Sequence, residues 1–189
     1  MAPRVTGKAM LNKLTTLIRH LWLDASDARR AIPPDMLQRV TRRVAASERR
    51  HSGEIRICVE ASLPASYLWR LSRQQSLRSL TRQRALALFG KLRVWDTEYN
   101  NGVLIYVLLA EHAIEIVADR GVARHVSPAQ WKAMVARMAG AFREKRYEEG
   151  LTQALEETSA VLMAHFALDA SQNGPPGQQN ELPDAPLLQ

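Results

Sequence analysis

The chain has 189 residues, 46% hydrophobic and 24% charged, the values of an ordinary globular protein long enough to bury a real core in one domain. Its single cysteine, Cys58, excludes an internal disulfide framework and a cysteine-built zinc site, and no apolar run approaches the ~18 residues that span a bilayer. The net charge of +7 is unevenly spread: residues 1–93 carry 19 Lys and Arg against 6 Asp and Glu, and residues 94–189 carry 7 against 13. One surface is therefore expected to favour an anionic partner, unless the arginines only solvate helix faces.

Residues 1–8 read as a loose arm, and Met10 to Trp22 as an amphipathic helix. Leu14, Leu17, Ile18, Leu21 and Trp22 recur at spacings of three and four, with Lys13, Arg19 and His20 between them. Such a helix either packs on the domain or lies on a membrane surface. In the second case Lys13, Leu17, Arg19, Leu21 and Trp22 form the lipid or partner surface. The N-terminus has no compact apolar segment before a small-residue cleavage site, so a cytoplasmic location, peripheral on the inner membrane face, is expected.

Pro33-Pro34-Asp35 starts a second helix, with Met36, Leu37, Val40 and Val44 on one face. "EIRICVE", residues 54–60, alternates and predicts a strand buried on one face only. Residues 66–93 predict a helical crossover, in one or two pieces, leading to a parallel strand. Val103 to Ala110 is apolar on both faces, which marks a central strand. Ala113 to Ala118 follows after the tight link Ala110-Glu111-His112, so these two strands are antiparallel neighbours. Ser127-Pro128-Ala129-Gln130 is a capping box for a helix that buries Trp131, Met134, Val135, Met138 and Phe142. A break near Lys145-Arg146-Tyr147 precedes a last helix with Leu151, Leu155, Val161, Leu162 and Phe166. From Ser171 the chain reads as a flexible tail, although Leu182, Leu187 and Leu188 could anchor it as an extended segment.

The hairpin gathers acids. Asp96, Thr97, Glu98, Asn100 and Asn101 lead into its first strand, and Asp119-Arg120-Gly121 leaves its second. The preceding parallel strand starts at Glu54. All are expected on one rim, where crowded carboxylates are relieved by an arginine or a divalent cation. One reading makes Asp96, Glu98 and Asp119 ligands of Ca²⁺ or Mg²⁺, with Glu54, Asn100, Asn101, Arg120 and Gly121 around them; such an ion could polarise a phosphate. The other makes these residues turn formers and caps, with Gly121 chosen for its backbone conformation. The five histidines are expected to be ordinary surface or capping residues, and no phosphate loop or nucleophile motif occurs.

"RVWDTEYNNGVLIYVLLAEHAIEIVADRGV", Trp131, and Phe142, Lys145 and Tyr147-Glu-Glu-Gly150 together resemble the TPM-domain family, over about Arg29 to Phe166. That family is named after a thylakoid acid-phosphatase-like protein, a photosystem repair factor and a receptor auxiliary protein. The resemblance implies a three-layer α/β/α sandwich around a small mixed sheet, here a parallel βαβ unit plus a central antiparallel hairpin. It divides the chain into an N-terminal arm (1–27), the TPM-like domain (28–168) and a Pro/Gln-rich tail (169–189). It further implies either a phosphatase, as in plant relatives, or an accessory role beside a LemA-type membrane protein. Without a recognisable nucleophile or general base, a non-catalytic accessory domain on a membrane protein or anionic lipid is the expected function, and a divalent-metal-dependent phosphatase the alternative. Nucleic acid is disfavoured, because no helix-turn-helix spacing or exposed aromatic pair accompanies the basic charge.

Overall fold

The computed structural model describes residues 7–71, 75–168 and 180–189, and within the first helix the side chains from Leu14 onward. Helices α1 (Gly7–Trp22), α2 (Ala25–Ala31) and α3 (Pro34–Glu48) lead into strand β1 (Ile55–Glu60). Helices α4 (Ala65–Leu68) and α5 (Leu77–Lys91) cross over to β2 (Val103–Leu108). A 3-10 turn at Leu109–Glu111, ending on His112 in the left-handed region (φ 47), joins β2 to β3 (Ala113–Ala118). Helices α6 (Arg120–Ala123), α7 (Pro128–Arg143) and α8 (Tyr147–Phe166) follow, and β4 (Leu187–Leu188) ends the chain.

The sheet order is β3-β2-β1-β4, with β1 parallel to β2 and β4, and β2 antiparallel to β3. Odd-numbered residues of β1 and β2, such as Ile57 and Ile105, pack with α2, α3, α7 and α8. Even-numbered ones, such as Leu104 and Tyr106, pack with α4 and α5. This is the expected three-layer mixed sandwich. The capping box at Ser127 and Gln130 is formed, as its spacing required.

Strand β1 departs from expectation: it is buried on both faces, not one. Its polar residues face the α5 layer and find partners there. Glu60 accepts from Arg84 at 2.6 Å and from the Tyr106 hydroxyl at 2.7 Å. Arg56, only 9% exposed, donates to the carbonyls of Pro183 and Ala185, each at 2.6 Å. Burying these charges costs free energy that the pairing offsets.

Arg56 thus depends on the C-terminal segment, which docks as an extended strap over residues 180–189. Gln189 N donates to Val59 O at 3.0 Å, and Ala61 N to Gln189 O at 2.8 Å. Leu182 is buried, and its N–H meets Glu54 at 3.2 Å. The part of the expected flexible tail between 169 and 179 lies outside the described residues. Helices α2 and α6 are short, and the apolar periodicity does not announce them. Both start on an aspartate cap, Asp24 and Asp119.

Two glycines close the loops beside the strand ends. A Cβ on Gly102 would lie 1.9 Å from Val94 O, and one on Gly121 2.4 Å from Asn100 O. Gly121 is therefore needed for close backbone approach and not, as expected, for an unusual backbone conformation; the left-handed residue here is Asn100 (φ 53).

Gly121→Ala should destabilise the protein by about 2 kcal/mol or more, because the obstacle is backbone. Gly140→Ala, in α7 with nothing within 4 Å of the added atom, should stabilise it by roughly 0.5–1 kcal/mol. Urea unfolding of both variants checks the pair. A pH dependence follows from two buried groups. Burial beside Glu54 and Asp184 pushes the Glu48 carboxyl up from 4.5 to about 8, against the opposing Ile55 N–H, and burial pulls His51 down from 6.5 to about 4. Glu48 contributes stability fully below its unfolded value, and loses it as pH rises towards 8. His51 contributes above 6.5 and loses it as pH falls through 4. Between 4.5 and 6.5 the two oppose each other. From pH 6.5 to 8 the unfolding free energy read from urea titrations should therefore fall, by up to about 1.4 kcal/mol per pH unit, and Glu48→Gln should flatten the slope.

Candidate functional site

The register Ile55–Val103–Ala118 brings the starts of β1 and β2 and the end of β3 to one rim. Val103 N donates to Glu54 O at 2.8 Å, and Asp119 N to Gly102 O at 2.9 Å. Asn100 O accepts from Gly121 N at 2.9 Å, and the Arg120 guanidinium reaches Asn100 Oδ1 at 3.1 and 3.2 Å. Glu54, Asn100, Asn101, Asp119, Arg120 and Gly121 are gathered as the hairpin argument requires.

Two oxygens on this rim have unusual surroundings. Asn101 is fully buried; its N–H donates to Thr97 Oγ1 and its Nδ2 to Ser52 Oγ, each at 3.1 Å. Its Oδ1 is buried and has no hydrogen-bond partner among the described residues. Asp119 caps α6, with Oδ1 accepting from Arg120 N at 2.7 Å. Its Oδ2 is likewise buried and without a partner among the described residues. An orphaned buried oxygen costs roughly 1–3 kcal/mol, so these two hold a desolvation penalty that a ligand or water could relieve.

Asp96 and Glu98 differ from that pair. Both are exposed; Asp96 pairs with Arg93 at 2.7 Å, and the Glu98 N–H is held by the Glu181 carboxylate at 3.1 and 3.2 Å. Among the described residues no group of three or more His, Cys, Asp and Glu is disposed to hold a metal ion, so Asp96, Glu98 and Asp119 form no such group. The reason is local: Arg93 and Asp96 close a turn of their own, Asp96 N bonding Arg93 O at 2.9 Å. Glu54 is also committed, to the C-terminal strap, and burial pushes its carboxyl up. Thr97, expected on this rim, is there; Ser52 and the stacked rings of His125 and His165 (centroids 4.1 Å apart) were not expected in this neighbourhood. Ser52 N donates to Phe166 O at 2.9 Å, next to His165. No spacing in the sequence links such distant residues; only the return of α8 does.

The helix expected to meet membrane or partner divides its residues between two tasks. Leu17 packs on the α5-side core. Arg19 donates to Ala110 O at 3.1 Å and Glu111 at 3.2 Å. His20, expected at the surface, is 3% exposed; its Nδ1 accepts from Leu63 N at 3.0 Å, which leaves Nε2 to donate to Glu111 at 3.2 Å. Leu17 and Arg19 thus hold α1 to the domain. Leu21 and Trp22 remain 74% and 82% exposed, in one stripe with Leu14 and Ile18, and Trp69 at the end of α4 is exposed as well. The side chain of Lys13 lies outside the described residues.

His51 is the second histidine found buried. Its Nδ1 donates to Gly53 O at 3.0 Å and its Nε2 meets Ser47 Oγ at 2.9 Å; Ser47 and Ser159 share a bond of 2.7 Å. A serine beside a histidine resembles a catalytic pair, but Ser47 and His51 are 2% and 0% exposed. Their role is to join α3 to α8.

The family model of the TPM domain matches residues 25–161. Among solved structures, the NMR structure of BA42 protein from the psychrophilic bacteria Bizionia argentinensis sp. nov. is similar, with a TM-score of 0.62 and 23% identity, covering 79% of this chain and 90% of that one. No curated protein matches. At this identity the structural likeness carries the fold alone. The family model spans both the βαβ unit and the rim that the hairpin gathers, and this chain belongs to the TPM-domain family.

Proposed function

We propose that this TPM-domain protein is a non-catalytic accessory module that lies on an anionic membrane surface through α1. The observation that carries this reading is the stripe Leu14, Ile18, Leu21 and Trp22, exposed by 54, 46, 74 and 82% on a helix pinned from its other side by Leu17, Arg19 and His20. A contiguous apolar stripe of this kind is costly in water unless something covers it. Leucine and tryptophan enter the headgroup layer, and the basic first half of the chain is drawn to anionic lipid. No helix among the described residues is long and apolar enough to cross a membrane, so contact of this helix with lipid would be lateral. The burial of Ser47 and His51 supports a role without chemistry at that pair.

Cosedimentation with phosphatidylglycerol vesicles should be strong at low salt and weak with phosphatidylcholine. Leu21→Ser with Trp22→Ser should reduce it at least about tenfold while leaving the fold intact, since both residues are exposed. No pelleting by the wild type would remove the reading. Capture by a LemA-type membrane protein, lost in the same double variant, would replace lipid by protein as the partner.

The unpartnered oxygens of Asn101 and Asp119 favour a second reading, in which the rim holds Ca²⁺ or Mg²⁺ and acts on a phosphate ester. Hard oxygen donors suit those ions. Such an ion would supply charge to polarise a phosphate, while Asp119 and Asn101 would hold it. Calcium titration followed by NMR should then shift the Asn101 and Asp119 signals, and Asp119→Asn should abolish both the shift and any hydrolysis of a chromogenic phosphate ester. Equal behaviour of wild type and variant would dismiss it.

A further inference from the structure

Strand β3 ends the sheet, with β2 on one side and no strand on the other among the described residues. Asp119 N bonds Gly102 O, and in an antiparallel ladder the pairing alternates. The main-chain groups of Ile114, Ile116 and Ala118 are therefore turned away from β2. Ile116 O confirms this direction, because the Arg82 guanidinium reaches it from outside at 2.6 Å. No bond among the described residues reaches the outward N–H groups of Ile114, Ile116 or Ala118.

This edge lies in a groove between α5 and α7. Two adjoining cavities of about 510 and 330 Å³ run along it and share Arg78, Glu115, Lys132 and Val135. Leu77 and Thr81 stand on the α5 side, Ala136 and Ala139 on the α7 side. The groove is basic. Arg78, Arg82, Lys132 and Arg143 line it, and of these Arg82 alone pairs with a carboxylate among the described residues, Glu115 at 3.3 Å. The acid at its mouth, Glu111, is engaged by Arg19 and His20.

We propose that the β3 edge is a docking groove for an extended acidic segment of a partner protein, which adds to the sheet as a further strand and sets carboxylates from its two faces against Arg78 on α5 and Lys132 on α7. The opposite edge shows the same kind of contact within the chain: the strap that carries Glu181 and Asp184 adds to β1 through Gln189. Main-chain bonds supply affinity in this mode, and alternate side chains supply selectivity. Arg82 keeps the Ile116 carbonyl satisfied while the groove is empty, and meets a ligand carboxylate once a strand takes its place. A second copy is the poorer occupant, because edge-to-edge pairing would bring Arg78, Arg82 and Lys132 against their own equivalents. The proposal goes beyond the membrane reading and does not depend on it.

The test uses a fluorescein-labelled short peptide of alternating Val-Val and Glu-Glu pairs, which carries glutamates on both faces of a strand, with anisotropy for affinity and amide NMR for location. Binding should shift the amides of Ile114, Ile116 and Ala118. N-methylation of one alternate set of peptide amides, the set that faces β3, should weaken binding at least roughly tenfold, and methylation of the other set should not. Arg78→Glu with Lys132→Glu, both at exposed positions, should weaken it by at least about as much, and a valine–lysine peptide should not bind. Absence of binding, binding indifferent to both methylation patterns, or self-association through β3 that shuts the peptide out would overturn the proposal.

Discussion

Strand β2 has no polar face, and that constraint organises the molecule. Val103, Ile105 and Val107 point one way, Leu104, Tyr106 and Leu108 the other, and all six are buried. Each such side chain is worth roughly 1.5–3 kcal/mol when removed from water, so both faces must be covered. Helices α7 and α8 do this on one side and α5 on the other, and a strand on each flank satisfies the ladder. Once α5 is in place, the polar half of β1 is sealed in with it. Glu60, Arg84 and Tyr106 then have to satisfy each other, since removal of one would strand a buried charge or hydroxyl.

The same two-sided cover leaves the edges of the sheet as places where the main chain can still be reached. The molecule treats them differently. The β1 edge is closed by its own C-terminal strap, which also satisfies Arg56 and Glu54. The β3 edge is bordered by cations and, among the described residues, left without a strand. Charged side chains along an edge deter uncontrolled pairing, and they also select what may pair. At the rim, by contrast, the hairpin concentrates polar groups, and the two orphaned oxygens of Asn101 and Asp119 are its distinctive chemistry. The basic amphipathic helix α1 adds a third surface, held by Leu17, Arg19 and His20 so that its apolar stripe faces outward.

Membership of the TPM-domain family sets the fold without setting a role. The rim, the stripe on α1 and the β3 groove are built from different residues. Their chemistry differs too: hard oxygen atoms at the rim, apolar and aromatic surface on α1, main-chain donors and guanidinium groups along β3.

The local determinants were written in the chain. The unbroken apolar run of β2, the Ser127–Gln130 cap and the 3.6-residue periods of α3 and α8 each act over a few residues, so they can be read without a fold. The gathering of Asn101 and Asp119 was legible too, because a tight hairpin leaves the two strands no other register. What the sequence could not disclose were partnerships between distant residues. Burial of both faces of β1 depends on where α5 comes to rest. The pairing of Asp96 depends on a turn closed by Arg93 and that of the Glu98 N–H on the C-terminal strap, the burial of His20 on a loop more than forty positions away, and the burial of His51 on a helix more than a hundred positions away. Periodicity encodes which side of an element avoids water; only packing decides which other element excludes it, because that choice is made by the sum of all contacts at once.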